Sequence, residues 1–254
     1  MKRTFIFVLL VLASATALGQ KQVDTHFNSW YMYFGNHRIT ERWGIHTEYQ
    51  FRRHGWMEEW QQSLLRVGVD HFFPQGLQLT AGYGWIVSYP YGEQPIATTF
   101  TEHRIWQQLI LNQSVWRIGF NHRFRMEQRF LENRVANSLG EYELEGFNYR
   151  NRGRYRFMIT VPLSRAKMDD NTLFIAFYDE VFIGFGKGIG KNILDQNRLY
   201  AALGWKFFNN LNVQLGYLNH YVIKSDAVHH ERNHTLQFSC TYNLDFRKKE
   251  EEKK

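Results

Sequence analysis

Apolar and polar residues alternate one by one along most of this chain, and that two-residue period constrains the fold more than any other feature. Between residues 116 and 130, one set of positions is apolar except for His122: Trp116, Ile118, Phe120, Phe124 and Met126. The other set is polar and rich in charge: Arg117, Asn121, Arg123, Arg125, Glu127 and Arg129. Successive side chains of a β-strand leave opposite faces of the sheet. The segment therefore predicts a strand with one apolar face and one arginine-rich face.

The same period recurs through the rest of the chain and predicts eleven strands. They are expected at 26–34, 42–53, 59–72, 77–89, 102–112, 115–130, 148–163, 172–184, 197–208, 211–223 and 233–246. Several are longer than the five or six residues usual in soluble proteins. Most have at least the roughly nine to eleven residues that a tilted strand needs to cross a bilayer.

The first residues form a separate unit. Lys2 and Arg3 precede an apolar run over 5–17, and Ala17-Leu18-Gly19 has the small-x-small pattern of a signal-peptidase site. The apolar run is too short for a good spanning helix, and no later stretch is long and apolar enough for one. Residues 1–19 are therefore predicted to be a signal peptide, and export makes a nucleic-acid partner improbable.

The predicted connections alternate between tight and long. The tight ones lie at 73–76, 112–114, 164–171 and 208–211, and the long ones at 90–101, 131–147, 185–196 and 224–232. Short periplasmic turns opposite long extracellular loops are typical of outer-membrane barrels, whose single chains in bacteria have even numbers of strands. Eleven strands conflict with that rule. Either 26–34 is outside the wall, which leaves ten, or a further strand exists, which makes twelve.

A soluble β-sandwich is the alternative fold, because its strands also alternate. Its wet faces would carry mixed Lys, Glu, Ser and Thr, whereas the polar positions here carry mainly Arg with Glu, Gln, Asn and Gly. Aromatic residues near strand ends suit two lipid–water interfaces: Trp30, Tyr31, Trp85, Tyr89, Tyr91, Trp116 and Tyr221. We therefore predict an all-β, transmembrane antiparallel up-and-down β-barrel of 10–12 strands over 20–246, with a charged tail at 247–254.

Five motifs in a fixed order carry a resemblance to a known family: "TEHRIWQQL" (101–109), "HRFRMEQRF" (122–130), "FYDEVFIGFG" (177–186), "QNRLYAALGW" (196–205) and "LGYLNHY" (215–221). Over residues 24–246 the chain resembles an uncharacterised family of predicted Gram-negative outer-membrane β-barrels, a domain of unknown function. The resemblance implies a bacterial outer-membrane location and no established activity. The partners expected there are membrane lipids, lipopolysaccharide and the barrel-assembly machinery.

The inward face is predicted to hold a cluster of charges, most of them towards the extracellular mouth. Its members are Glu102, Arg104, Arg123, Arg125, Glu127, Arg129, Arg150, Arg152, Arg154, Arg156, Glu180 and Arg198, with Arg117, Glu48, Asp70, Arg52, Arg66 and Lys206 also expected to face inward. One interpretation is a structural lattice, because Arg pairs well with carboxylates and buried ions need partners. The other is a narrow anion-favouring pore or a site for a small anionic solute, because arginines outnumber the local acids.

An outer-membrane lipid-modifying hydrolase is the alternative function. His122 lies on the apolar face and His103 is a second candidate, but no serine falls at a spacing that places it beside either. The stretch "AVHHERNH" brings His229, His230, Glu231 and His234 close in sequence without the spacing of a known metal site. The sequence thus predicts no catalytic residue, metal site or cofactor, and the single Cys240 cannot form an internal disulfide.

Overall fold

Eleven strands close into one barrel in the computed structural model, which describes residues 21–93 and 95–247. The strands are β1 (Gln22–Arg38), β2 (Trp43–His54), β3 (Glu59–Phe72), β4 (Leu77–Ser88), β5 (Phe100–Val115), β6 (Ile118–Ala136), β7 (Tyr142–Pro162), β8 (Thr172–Phe185), β9 (Leu194–Phe208), β10 (Leu211–Ile223) and β11 (His229–Tyr242). The predicted all-β barrel of 10–12 strands is confirmed. The predicted signal peptide and residues 248–254 of the predicted tail lie outside the described residues.

The barrel closes through a parallel seam. Each strand pairs with its neighbour in antiparallel fashion except β1 and β11, which run parallel, with Tyr33 opposite Cys240. The expectation of an even strand number was therefore wrong, because an odd number of strands closes when its first and last strands run the same way. In the part of the chain that the structure describes, no helix is long and apolar enough to cross a membrane.

The two ends of the barrel differ, and we name them by their connections. The loop end carries 55–58, 89–99, 137–141, 186–193 and 224–228, and the turn end carries 39–42, 73–76, 116–117, 163–171 and 209–210. Strands β6 and β7 reach further than predicted, so the long loop expected at 131–147 shrinks to 137–141. The turn expected at 112–114 lies instead at 116–117, because β5 stays paired with β6 until Val115 faces Ile118.

Side chains divide between the two faces of the wall as the alternation predicts. On β2, His46, Glu48 and Gln50 are buried towards the lumen, while Ile45 and Tyr49 are exposed on the outside. Of the aromatic residues assigned to lipid–water interfaces, Trp30 and Tyr91 were wrongly placed. Tyr91 lines the interior at the loop end. Trp30 is 1% exposed and faces the lumen, where its indole nitrogen donates to Gln61 at 2.6 Å.

Glycines on the inward face make room for one large lumenal side chain. A Cβ on Gly82 would lie 2.8 Å from the Trp106 ring, and one on Gly68 would lie 3.1 Å from it. Trp106 is fully buried, and the Arg125 guanidinium lies 4.9 Å from the centre of its ring. Because these glycines of β3 and β4 have no side chain, the indole can lie beside the charged side chains of β6.

The parallel seam can be tested with the native cysteine. In the Tyr33→Cys variant, the new thiol faces Cys240 across β1 and β11 on the same side of the wall. Directly paired residues on neighbouring strands fall within the Cα separation that a disulfide needs, about 4.4–6.8 Å. We expect mild oxidation of the folded variant to join these two cysteines within one chain, as seen by peptide mass mapping.

The matched control is Tyr31→Cys, which lies on the same face of β1 opposite Phe238, one full pleat repeat away from Cys240. It should remain a free thiol under the same oxidation. Efficient cross-linking of Tyr31→Cys, with none in Tyr33→Cys, would show that the strands meet in another register.

Candidate functional site

The lumen is filled at mid-height by charged side chains arranged around Glu127. This residue on β6 has no solvent exposure. Its carboxylate lies 3.4 Å from Arg66, 3.3 Å from Arg104, 2.7 Å from Arg152 and 2.8 Å from Arg154. Because Arg66 is on β3 and Arg154 on β7, Glu127 links walls well separated around the barrel. A buried ion is costly unless it is paired, so these contacts depend on one another.

Two further glutamates extend the arrangement from neighbouring strands. Glu102 accepts two hydrogen bonds from Arg129, at 2.7 and 2.8 Å, in the bidentate geometry that suits guanidinium and carboxylate. It also pairs with Arg104 at 2.6 Å. Glu180 on β8 receives Arg123 at 2.7 Å and Arg154 at 2.8 Å. Arg104 and Arg154 thus each connect two carboxylates.

The network is continuous, and we call it the septum. Glu48 joins through Arg66 and, at 3.9 Å, through Arg125, while Asp195 joins through Arg152 at 2.9 Å. The septum consists of Glu48, Arg66, Glu102, Arg104, Arg123, Arg125, Glu127, Arg129, Arg152, Arg154, Glu180 and Asp195. Its arginines outnumber its carboxylates, and each of its four glutamates is shared between at least two arginines.

The septum divides the lumen into two chambers. The turn-end chamber, of ≈ 200 Å³, is lined by residues such as Phe34, Asn36 and Met158 near the turn end. The loop-end chamber, of ≈ 240 Å³, is lined by residues such as Tyr91 and Lys224. The side chains common to both linings are Trp30, Arg52, Arg66 and Arg154. Guanidinium and indole groups therefore separate the two spaces.

Some lumenal arginines have no carboxylate within ion-pair distance among the described residues. Arg52 donates to Gln50 and Gln62, Arg156 donates to Asn121 at 2.8 Å, and Arg198 donates to Gln196 at 3.0 Å. Amide oxygens satisfy hydrogen bonds and leave the charge uncompensated. Arg52, Arg156 and Arg198 all line the turn-end chamber, which therefore has an excess of positive charge.

Aromatic rings stabilise part of that charge. The guanidinium carbons of Arg52 and Arg198 lie 3.9 and 5.2 Å from the centre of the Trp30 ring. Arg154 lies 4.3 Å from the Phe182 ring. Cation–π contacts of this kind contribute about 0.5–2 kcal/mol each. The misplaced Trp30 is thus a cation-binding ring inside the lumen.

The structure brings most of the predicted cluster together in the septum, and three members stay outside it. Arg150 takes part in no described ion pair, and within the described ranges the hydrogen bonds of Arg156 and Arg198 go to amide groups. Among the residues that the sequence also suggested should face inward, Glu48 and Arg66 belong to the septum. Asp195 and Trp30 were missed, because each falls outside the alternating charged pattern. The charges lie at mid-height, since β6 and β7 extend the wall beyond them.

The histidines of the hydrolase hypothesis bond to tyrosines on the outer wall. His122 contacts the hydroxyl of Tyr155 at 2.9 Å, and His103 contacts the hydroxyl of Tyr83. No serine side chain joins either pair among the described hydrogen bonds. The same cross-strand pairing of a histidine with a tyrosine recurs between Tyr217 and His234.

The histidines near the start of β11 point to separate partners. His229 contacts Asp226, and His230 contacts Tyr221 at 2.9 Å. Glu231 faces the loop-end chamber, where it pairs with Lys224 and accepts a hydrogen bond from the Tyr91 hydroxyl at 3.3 Å. Burial, and next the Glu231 carboxylate, raise the pKa of Tyr91 above its ordinary value. Tyr91 thereby anchors the 89–99 loop over this chamber as a neutral side chain.

Fold and site together define a class: a closed β-barrel with an odd number of strands whose interior is filled by an arginine–glutamate network. The sequence matches the family described as "Protein of unknown function (DUF2490)" over residues 27–231. The chain belongs to this family, which agrees with the resemblance to an uncharacterised family. No curated protein and no solved structure matches the chain.

The central role of Glu127 can be tested by removing its charge. Glu127→Gln keeps the side-chain volume but leaves four buried guanidinium groups without their shared carboxylate. Removing one partner of a buried ion pair costs about 3–5 kcal/mol. We expect a loss of that size in the free energy of unfolding, measured by denaturant titration of the folded protein.

Glu145→Gln provides the matched control, because Glu145 is exposed and its one described side-chain hydrogen bond is to the Asn133 amide at 2.8 Å. It should change the unfolding free energy by less than about 0.5 kcal/mol. If Glu127→Gln were as stable as this control, the septum would not be held by its central carboxylate.

Proposed function

We propose that the protein is a bacterial outer-membrane barrel whose closed lumen binds a small anion. The observation that carries this proposal is the set of arginines that have no carboxylate partner among the described residues and line a chamber beside the septum. Lipids and lipopolysaccharide would contact its outer wall, and the barrel-assembly machinery would insert it. The proposal has three supports: the outer wall, the closure of the lumen and its charge.

The outer wall supports a location in lipid. Large apolar side chains are exposed around it, among them Val69 at 55%, Leu199 at 59% and Leu215 at 54%. Soluble proteins rarely expose contiguous apolar surface on this scale. Amide groups on this wall bond across neighbouring strands, as Gln107 does with Gln128 at 3.2 Å. Such pairing suits hydrocarbon, where an unsatisfied polar group is costly.

The septum supports binding over open conduction. A barrel of about eight strands is filled by its side chains, whereas sixteen leave an aqueous channel. Eleven strands fall between these cases, and here ion pairs from β2, β3 and β5–β9 occupy the middle of the lumen. An ion crossing the barrel would have to separate buried ion pairs. The arrangement therefore favours a chamber that holds a solute over a pore that transmits one.

Charge supports an anion as the bound solute. In the part of the chain that the structure describes, the positive charges of Arg52, Arg156 and Arg198 are contacted by amide oxygens and aromatic rings and by no carboxylate within ion-pair distance. Uncompensated charges in a low-dielectric interior attract a counter-ion strongly. An anion that enters from the turn end can supply the missing negative charge.

A closed lumen predicts that the barrel does not conduct ions across a bilayer. Purified barrels reconstituted in a planar bilayer should show no steady ohmic conductance, whereas a sixteen-stranded porin inserted under the same conditions should conduct. The purified protein should also require detergent to remain in solution. A steady, anion-selective current through the wild-type barrel would contradict the proposal and favour a pore.

Anion binding predicts stabilisation of the folded barrel. A ligand that binds only the folded state at a hundred times its Kd adds about 2.7 kcal/mol to the free energy of unfolding. Small anions, including phosphate and short carboxylates, should raise the midpoint of thermal unfolding in detergent at constant ionic strength. Uncharged compounds of the same size serve as controls. If no anion stabilises the barrel more than they do, it has no anion site.

A further inference from the structure

We infer that the turn-end chamber is a site for a small organic carboxylate with a flat apolar group. The carboxylate would lie between Arg156 and Arg198, and the flat group would lie against Tyr178, Tyr200 and Trp30. This inference rests on the proposed function, since it specifies which anion the lumen binds and where. Four features of the chamber support it: the row of charges, the buried donors, the aromatic lining and the contrast with the other chamber.

The row of charges follows from the register of four neighbouring strands. Arg123 on β6 is opposite Arg156 on β7, Arg156 is opposite Glu180 on β8, and Glu180 is opposite Arg198 on β9. Like charges directly opposite one another destabilise a sheet. Glu180 bonds to Arg123 and Arg154 through the same carboxylate oxygen, and among the described residues it forms no ion pair with Arg156 or Arg198. The row holds more positive than negative charge.

Buried donors in this row have no acceptor among the described residues: they are the Nε atoms of Arg123, Arg156 and Arg198. All three side chains line the turn-end chamber. A buried unmet donor costs about 1–3 kcal/mol. Several donors around one cavity form a site for an oxygen-rich, negatively charged group.

Two strand spacings separate Arg156 from Arg198, a backbone distance of about 10 Å. Long side chains from these positions can both reach a ligand bound over β8. Arg presents a planar fork that matches a carboxylate or a phosphate with two parallel hydrogen bonds. Charge alone therefore does not distinguish the two groups, and the rest of the lining decides between them.

The lining favours a ligand with an apolar part. Tyr178 and Tyr200 stack with their ring centres 4.6 Å apart, and Tyr200 is 2% exposed. Met32, Phe34, Ile110 and Met158 complete the apolar side of the chamber. A free phosphate would leave these surfaces uncovered, whereas an aromatic or short branched acid would cover them. The volume of ≈ 200 Å³ lies below the roughly 300–1,000 Å³ of pockets for larger ligands, so the ligand is small.

The loop-end chamber has fewer uncompensated cations: in its lining, Arg52, which also lines the turn-end chamber, is the one cation without a carboxylate partner among the described residues. Its Arg129 bonds twice to Glu102, its Arg152 is held by Glu127 and Asp195, and its Lys224 pairs with Glu231. The two chambers have similar volumes and differ mainly in how many of their cations are compensated. An anion should therefore bind at the turn end.

The test uses the folded, detergent-solubilised full-length mature protein and three probes: benzoate, inorganic phosphate and the uncharged benzamide. Isothermal titration calorimetry should show benzoate binding more tightly than phosphate, with no binding of benzamide. Arg156→Gln and Arg198→Gln should each raise the Kd for benzoate about tenfold, which corresponds to about 1.4 kcal/mol. Lys224→Gln, in the loop-end chamber, should leave that Kd unchanged.

The outcomes separate this inference from the proposed function. If anions bind with the same Kd in wild type, Arg156→Gln and Arg198→Gln, the chamber is wrongly assigned while the anion-binding lumen stands. Tighter binding of phosphate than benzoate, or equal binding of benzamide, overturns the ligand class. If no anion binds the wild type, the proposed function fails as well. Should the Gln variants not fold, Arg156→Lys and Arg198→Lys keep the charge but remove the planar fork, and each must still weaken benzoate binding.

Discussion

Burial of guanidinium groups in a closed lumen is the constraint on which the rest of the structure depends. Each such group must find a carboxylate, an amide oxygen or an aromatic face, because an isolated ion in a low-dielectric interior is too costly to keep. Glu127 satisfies this need for four arginines from three strands at once. The barrel thereby gains cross-links through its centre, and the lumen is divided as a consequence.

On the outer wall, polar side chains are satisfied mainly by hydrogen bonds between neutral groups. Tyrosine hydroxyls bond to histidine rings, and amides bond to one another, on adjacent strands such as β6 with β7 and β10 with β11. Ion pairs dominate the inside, and neutral hydrogen bonds dominate the outside. That division follows the surroundings expected for each face, since a neutral pair loses far less on transfer to hydrocarbon than a charged one.

The sequence predicted the strands and the inward face, because both follow from the two-residue period of side chains along a strand. The period holds no information on which walls approach each other, so it could not predict that Arg66 would reach Glu127. The assumption of an even number of strands did not hold, because the parallel seam depends on pairing between the first and last strands of the chain. Trp30 was misplaced because an indole can lie at a lipid interface or against a guanidinium group. The register of its strand determines which of these two positions it takes.

A structural lattice and a binding site are not competing explanations of this lumen. The row of Arg123, Arg156, Glu180 and Arg198 can hold an excess of positive charge only if its backbone positions are fixed. The septum fixes them, because Arg123 and Arg154 tie Glu180 to β6 and β7. The paired charges of the septum thus hold the unpaired arginines of the neighbouring row in place. The same ion pairs border the cationic chamber at the turn end and hold its lining in place.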